Sequence, residues 1–217
     1  WLAAAMALLQ FALGALVLGR GQASLTEAMA PVAVAQAVLV NLAFACLITV
    51  FARSDMSVLL VAANSHSAKP MIYKISGTWG NHEGSMLLWV TILGMAGATI
   101  ALFERKLRAD ARLATLAAQA AIALGFYAFL LFASNPFTRL EGVVEGQGLN
   151  PLLQDPGLAF HPPTLYAGYV GMSAAFSFAV GALITRDVGP EFARAMRPWI
   201  LGAWIFLTIG ITAGSYW

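Results

Sequence analysis

The sequence predicts an all-α, polytopic integral membrane protein with about six transmembrane helices, and three observations carry that prediction. Of 217 residues, 60% are hydrophobic and only 10% charged, with a mean hydropathy of +0.77, a balance foreign to soluble domains. The charged residues avoid six runs, each long enough for the roughly 20 residues that cross about 30 Å of hydrocarbon as a helix. The runs lack period-two alternation, so helices rather than barrel strands are left to satisfy the backbone in lipid.

In chain order the predicted spans are 1–19, 30–52, 83–103, 113–134, 163–185 and 198–217, with two long outer loops at 53–82 and 135–162. The first run opens at Trp1 without a charged leader or cleavage site, and reads as a transmembrane helix whose start is missing. Gln10, Gln36 and Asn41 in the first two spans are expected to hydrogen-bond to neighbouring helices. Cys46, the single cysteine, is expected to be a packing residue. Alone, it excludes an intrachain disulfide, a thiol relay or a zinc site, and the lack of any C-x-x-C-H excludes a c-type cytochrome.

The first outer loop joins an apolar run, Val58–Ala63, to Asn64-Ser65-His66-Ser67 and a Lys69-Pro70 break. Its middle reads as an extended, partly ordered segment lying on the membrane surface, with His66 solvated. It ends in helix-start chemistry: Trp79 at the interface, Asn81 as a cap, and Glu83 where a carboxylate meets the positive end of the helix dipole. His82 fits an interfacial hydrogen bond; a cofactor role for Trp79, His82 and Glu83 is the alternative. The third span leaves through Glu104-Arg105-Lys106, a charged turn. In the second outer loop, Glu141, Glu145 and Asp155 could be read as an acid–base or cation site, but Gly142, Gly146 and Gly148 favour tight turns over a shared helix face.

Gln147 to Gly171 stands apart. Asp155-Pro156-Gly157 is turn chemistry, and His161 precedes Pro162-Pro163 and an apolar helix. Pro162 should hold His161 extended, and the two prolines should open the helix. An imidazole fixed at the water boundary can take a proton or bind a metal. Tyr166 and Tyr169 beyond it suit an aromatic belt.

The 12 Lys and Arg set the orientation. Arg20, Arg105, Lys106, Arg108, Arg112, Arg186, Arg194 and Arg197 fall in the short loops, which are predicted to be cytoplasmic. Arg53, Lys69, Lys74 and Arg139 are spread over the long ones. All three histidines then lie on or near the outer face. The net charge of +2 belongs to these loops, and no nucleic-acid partner is expected.

Four stretches carry a specific resemblance: TWGNHEGSMLLW at 78–89, SNPF at 134–137, LNPLLQDPGLAFHPPTLYAGYVG at 149–171 and RPWILGAWIFLTIGITAGSYW at 197–217. In order and spacing the chain resembles the CcmF/NrfE family of membrane haem lyases from the system I cytochrome c maturation pathway. The resemblance spans essentially the whole chain. Asn81 departs from the small residue usual at its place.

The resemblance implies cytochrome c-type biogenesis at the periplasmic face of the bacterial inner membrane. Haem (haem b) would arrive on a CcmE-like chaperone and be joined through its vinyl groups to the thiols of an apocytochrome C-x-x-C-H, with CcmH/CcmI-like subunits taking part. His161 occupies the position of the first of two periplasmic histidines that serve as axial haem ligands on either side of a Trp-rich domain. A separate b-type haem is held by transmembrane histidines. The Trp-rich domain and the other three histidines would lie beyond residue 217, so this chain is expected to be an amino-terminal portion, inactive by itself. A rival reading is a transporter or channel module gated by outer histidines, which should show polar or broken helices at the midplane. A further alternative pairs His82 with His161 on one haem.

Overall fold

The computed structural model describes residues 1–21, 23–104 and 107–217; Arg105 and Lys106 of the predicted charged turn lie outside them. Among the described residues there are eight α-helices: α1 Leu2–Arg20, α2 Met29–Ala52, α3 Leu59–Asn64, α4 Met71–Ser76, α5 His82–Phe103, α6 Ala109–Phe132, α7 Gly157–Thr185 and α8 Pro190–Tyr216. Six are long and apolar enough to cross a membrane, and the chain is a multi-pass membrane protein. Each corresponds to a predicted span.

Two helices begin well before their spans. α8 starts at Pro190 because a charge-free run marks hydrocarbon, whereas a helix can continue into water; its first turns carry Glu191, Arg194 and Arg197. α7 starts at Gly157, which corrects the expectation that His161 is extended and that Pro162-Pro163 open the helix. Asp155 Oδ1 accepts from the Gly157 amide at 2.7 Å, so a turn upstream of the prolines nucleates the helix and His161 is already helical within it.

α5 and α6 form the middle of the bundle. α5 packs on α2, α6 and α7, α6 packs on α1 and α7, and α7 makes its most extensive contact with α8. In lipid the apolar effect does not drive helices together, so close approach and interhelical hydrogen bonds must. A Cβ on Gly168 of α7 would come within 2.5 Å of the Leu207 amide nitrogen, and one on Gly210 of α8 within 2.7 Å of Leu165 Cα; α7 and α8 thus meet backbone to backbone. Gln10 Nε2 donates to the Leu116 carbonyl at 2.8 Å, and Gln36 Nε2 lies 3.4 Å from the Tyr127 hydroxyl, as expected of both. Asn41 bonds instead within its own helix, to Ala37 O. Gln119, which the sequence did not single out, links three helices: it donates to Leu93 O at 3.3 Å and accepts from Ser177 Oγ at 2.7 Å. Cys46 is exposed on the outside of the bundle, contrary to the packing role expected of it; Val38 and Leu42 on the same face of α2 are exposed as well.

The two long loops sit at the same end and are clasped together. An antiparallel bridge pairs Val58 with Arg139, with Leu59 N donating to Thr138 O at 2.9 Å and Leu140 N to Ser57 O at 2.9 Å. Further along, Gln147 N donates to Ala62 O at 2.8 Å and Gly148 N to Ser65 O at 3.1 Å. The first loop, expected to be extended through its middle, carries instead the two short helices α3 and α4. Val58, Leu60 and Val61 are buried in one cluster with Phe51, Leu87 and Leu130, since apolar side chains at helical spacing gain more against the bundle than at the water boundary. Gly142 and Gly148 take positive φ values of 77° and 89°, the tight turns predicted for this loop. At the opposite end Trp199 Nε1 donates to Glu104 Oε1 at 3.0 Å, and Arg108 bridges Asp110 and Asp187.

Candidate functional site

The loop end of the bundle holds a cleft of 290 Å³ lined by Trp79, Asn81, Leu158, His161, Tyr166 and Trp217 among others. Three elements build it. The chain before α5 supplies Trp79 and Asn81, the first turns of α7 supply Leu158 to Tyr166, and the end of α8 supplies Trp217.

Asn81 fixes the first part. Its Oδ1 accepts from the Gly84 amide at 2.7 Å, and its Nδ2 donates to Gly77 O at 2.8 Å, so it caps α5 as predicted and also ties the cap to the preceding turn. The Trp79 ring packs on Phe44 of α2, centroids 6.3 Å apart.

His161 is half-buried and held on two sides. Its Nδ1 lies 2.7 Å from the Gly210 carbonyl. A carbonyl only accepts, so Nδ1 must carry the proton; in the neutral ring the Nε2 lone pair is left unused, the form in which imidazole binds metals. Nε2 has no hydrogen-bond partner among the described residues. The ring also lies against Trp217, centroids 5.4 Å apart at 59°, and over Gly214, where a Cβ would come within 2.5 Å of Cε1. Gly210, Gly214 and Trp217 were not singled out from the sequence, although Gly210-x-x-x-Gly214 is the small-residue spacing that lets another backbone approach.

The other sequence-predicted residues are placed differently. Trp79 joins His161 in the cleft. His82 turns to α6, with Nδ1 3.0 Å from Ser134 Oγ and its ring edge-on to Phe129 at 5.5 Å; it has the hydrogen bond foreseen for it and a different set of neighbours from His161. Glu83 occupies the first turn of α5 and is not part of the cleft lining. Tyr166 packs on Trp89 at 5.7 Å, while Tyr169 is exposed. His66 is in the loop clasp, where its Nδ1 accepts from the Ala68 amide at 3.1 Å.

Chemically, the cleft offers one unengaged imidazole nitrogen beside aromatic and aliphatic walls. Among the described residues no three His, Cys, Asp or Glu side chains gather to chelate an ion. The donor set therefore fits a metal that brings its own equatorial ligands inside a flat apolar macrocycle, and haem is such a group. The transporter alternative finds no support: the long helices run unbroken, and Gln10, Gln36 and Gln119 are engaged between helices.

Comparison with known proteins gives a consistent result. The profile of the family described as Cytochrome C assembly protein matches residues 79–217. The chain is 54% identical over its whole length to a cytochrome c-type biogenesis protein of Rhodobacter capsulatus, covering 33% of that protein. It is 47% identical over 177 residues, 81% of the chain, to the cytochrome c-type biogenesis protein CcmF of Escherichia coli, covering 27% of that protein. A solved structure of the cytochrome c haem lyase CcmF superposes with a TM-score of 0.87 at 26% identity, over 99% of this chain and 34% of the other. The chain thus spans about a third of the length of these relatives, and residues 79–217 include all three elements of the His161 cleft. By these matches the chain belongs to the cytochrome c assembly protein family.

Proposed function

We propose that this chain forms the haem-facing part of a cytochrome c-type haem lyase and that His161 supplies one axial ligand to haem iron. The observation that carries the reading is the hydrogen bond from Nδ1 to the Gly210 carbonyl, which orients the imidazole and leaves Nε2 for iron. Haem is here a substrate, received at the periplasmic face of the inner membrane from a chaperone of the CcmE kind and delivered to the C-x-x-C-H thiols of an apocytochrome, with subunits of the CcmH/CcmI kind. The second axial ligand and the separate b-type haem belong to parts of the protein outside these residues. Bound haem supplies the vinyl groups that the thiols attack. The chain's own residues hold and orient it: His161 fixes its iron, while Trp79, Tyr166 and Trp217 offer flat apolar surfaces that fix its plane and leave an edge open, which is catalysis by placement.

The test uses the full-length protein. His161→Ala is expected to abolish c-type cytochrome assembly while the protein still inserts to normal levels. Gly210 O keeps its place in the α8 backbone ladder, so the fold loses only about 1 kcal/mol with the side-chain hydrogen bond. His161→Cys and His161→Met, which offer sulfur to iron, should retain more assembly than Ala. Normal assembly in the Ala variant would remove the basis of the proposal.

A further inference from the structure

We propose that Trp79 is a positioning residue for His161, and that it acts by taking over a backbone hydrogen bond that Pro162 cannot make. The inference rests on the reading of His161 as an iron ligand and adds a residue to that site.

In α7 the carbonyl of Leu158 faces the position where residue 162 would donate its amide, and Pro162 has no N–H. Leu158 is 1% exposed, so water is a poor substitute, and a buried carbonyl without a donor is costly. Trp79 Nε1 donates to this oxygen at 2.8 Å. The donor comes from 79 positions away in the chain, and its ring is already anchored on Phe44. Leu158 precedes His161 by three residues, so the two lie on one helical face, one turn apart. Fixing the Leu158 carbonyl fixes the rotation of the turn from which the imidazole projects. His161 is then held from α8 through its ring and from the α5 side through its backbone. Without the indole the turn can unwind, carrying Nε2 away from the cleft that Trp79 and His161 share.

The geometry specifies its own rescue. Replacing Pro162 by Ala restores an amide that can serve Leu158 from within the helix, which makes the indole N–H dispensable. Trp79→Phe, Pro162→Ala and the double variant of the full-length protein are compared in two measurements. The first is the thermal midpoint of haem-free protein. Trp79→Phe, which keeps an aromatic ring and loses the donor, should lower it clearly, and in the Pro162→Ala background the same change should lower it little. The second is retention of the haem bound in addition to the separate b-type haem, followed by its visible spectrum. Trp79→Phe should weaken retention by about tenfold, the scale of losing an outer-shell orienting partner. The double variant should hold haem as Pro162→Ala does. Two results overturn the proposal: additive losses in the haem-free midpoint, or undiminished haem retention in Trp79→Phe when His161→Ala has lost it. Haem retained in full by His161→Ala overturns the ligand reading itself, and with it the purpose assigned to Trp79, whatever the thermal cycle shows.

Discussion

At the scale of single residues, the imidazole of His161 is set by what lies beneath it as much as by its own position. Gly214 leaves the space the ring occupies, and a methyl group there would reach within 2.5 Å of Cε1. Gly214→Ala is therefore expected to push the ring off the Gly210 carbonyl while leaving the ligand atom in the protein. Overpacking of this kind costs about 1–3 kcal/mol, and haem retention should fall alongside the thermal midpoint. An absorption spectrum of the purified full-length variant checks it, and wild-type haem content would show that the ring's seat on α8 is not needed. The place of His161 between a turn and an apolar helix is legible in the sequence, while its reading as a haem ligand comes from the resemblance. Its backbone conformation is not legible there. By their own stereochemistry the two prolines suit a helix start, whereas in the helix that begins at Gly157 the carbonyl that Pro162 leaves without a donor is answered by Trp79, far away in sequence.

At the scale of elements, the pairing of α7 with α8 decides whether His161 and Gly210 meet at all. That pairing depends on glycines facing a backbone. Gly168→Ala would place a methyl within 2.5 Å of the Leu207 amide nitrogen and 2.9 Å of its Cα, neither of which can move without the helix. We expect a loss of at least about 1–3 kcal/mol, seen as a lower unfolding temperature in detergent, together with haem loss. Gly202→Ala on the same α8 meets nothing within 4 Å and should be neutral or gain up to about 1 kcal/mol from helix propensity. Equal effects of the two would contradict close packing as the cause. The six long helices were legible because a charge-free run of the right length is a local property. The short helix α3 was missed for the complementary reason: Val58–Ala63 is too short to declare its period, and only the presence of Phe51, Leu87 and Leu130 makes burial available to it.

At the scale of the whole molecule, the loop end of the bundle is one body because the two loops are clasped, and Glu145 is one charged part of the clasp, as Arg139 is through Ser57. The Glu145 carboxylate accepts from the Ser67 hydroxyl, the Ser67 amide at 3.0 Å and the Gly146 amide at 2.9 Å. Those bonds, the Ser67 hydroxyl foremost, hold its pKa at about 2, against an ordinary 4.5. The sign follows. With the folded pKa depressed, the stabilisation is fully present above the ordinary value and is lost as the pH falls through that interval toward the folded pKa. Hydrogen exchange should therefore show protection of the Ser67 and Gly146 amides declining across that interval. Glu145→Gln should begin with weak protection and show no such decline. A wild-type profile as flat as the variant's would mean the carboxylate does not hold the loops.

The sequence by itself determined the class of molecule and its six spans, and it singled out His161 as the residue to watch. Each follows from composition, run length or the chemistry of a few adjacent residues, and such properties do not depend on what lies far along the chain. Only the tertiary structure decided that His161 is helical, that Gly210 orients its ring, that Trp79 completes its helix, that His82 faces α6, and that the two loops close on one another. All of these are contacts between residues distant in sequence, where a hydrogen bond or a steric limit at one site is met by a partner that no local pattern identifies.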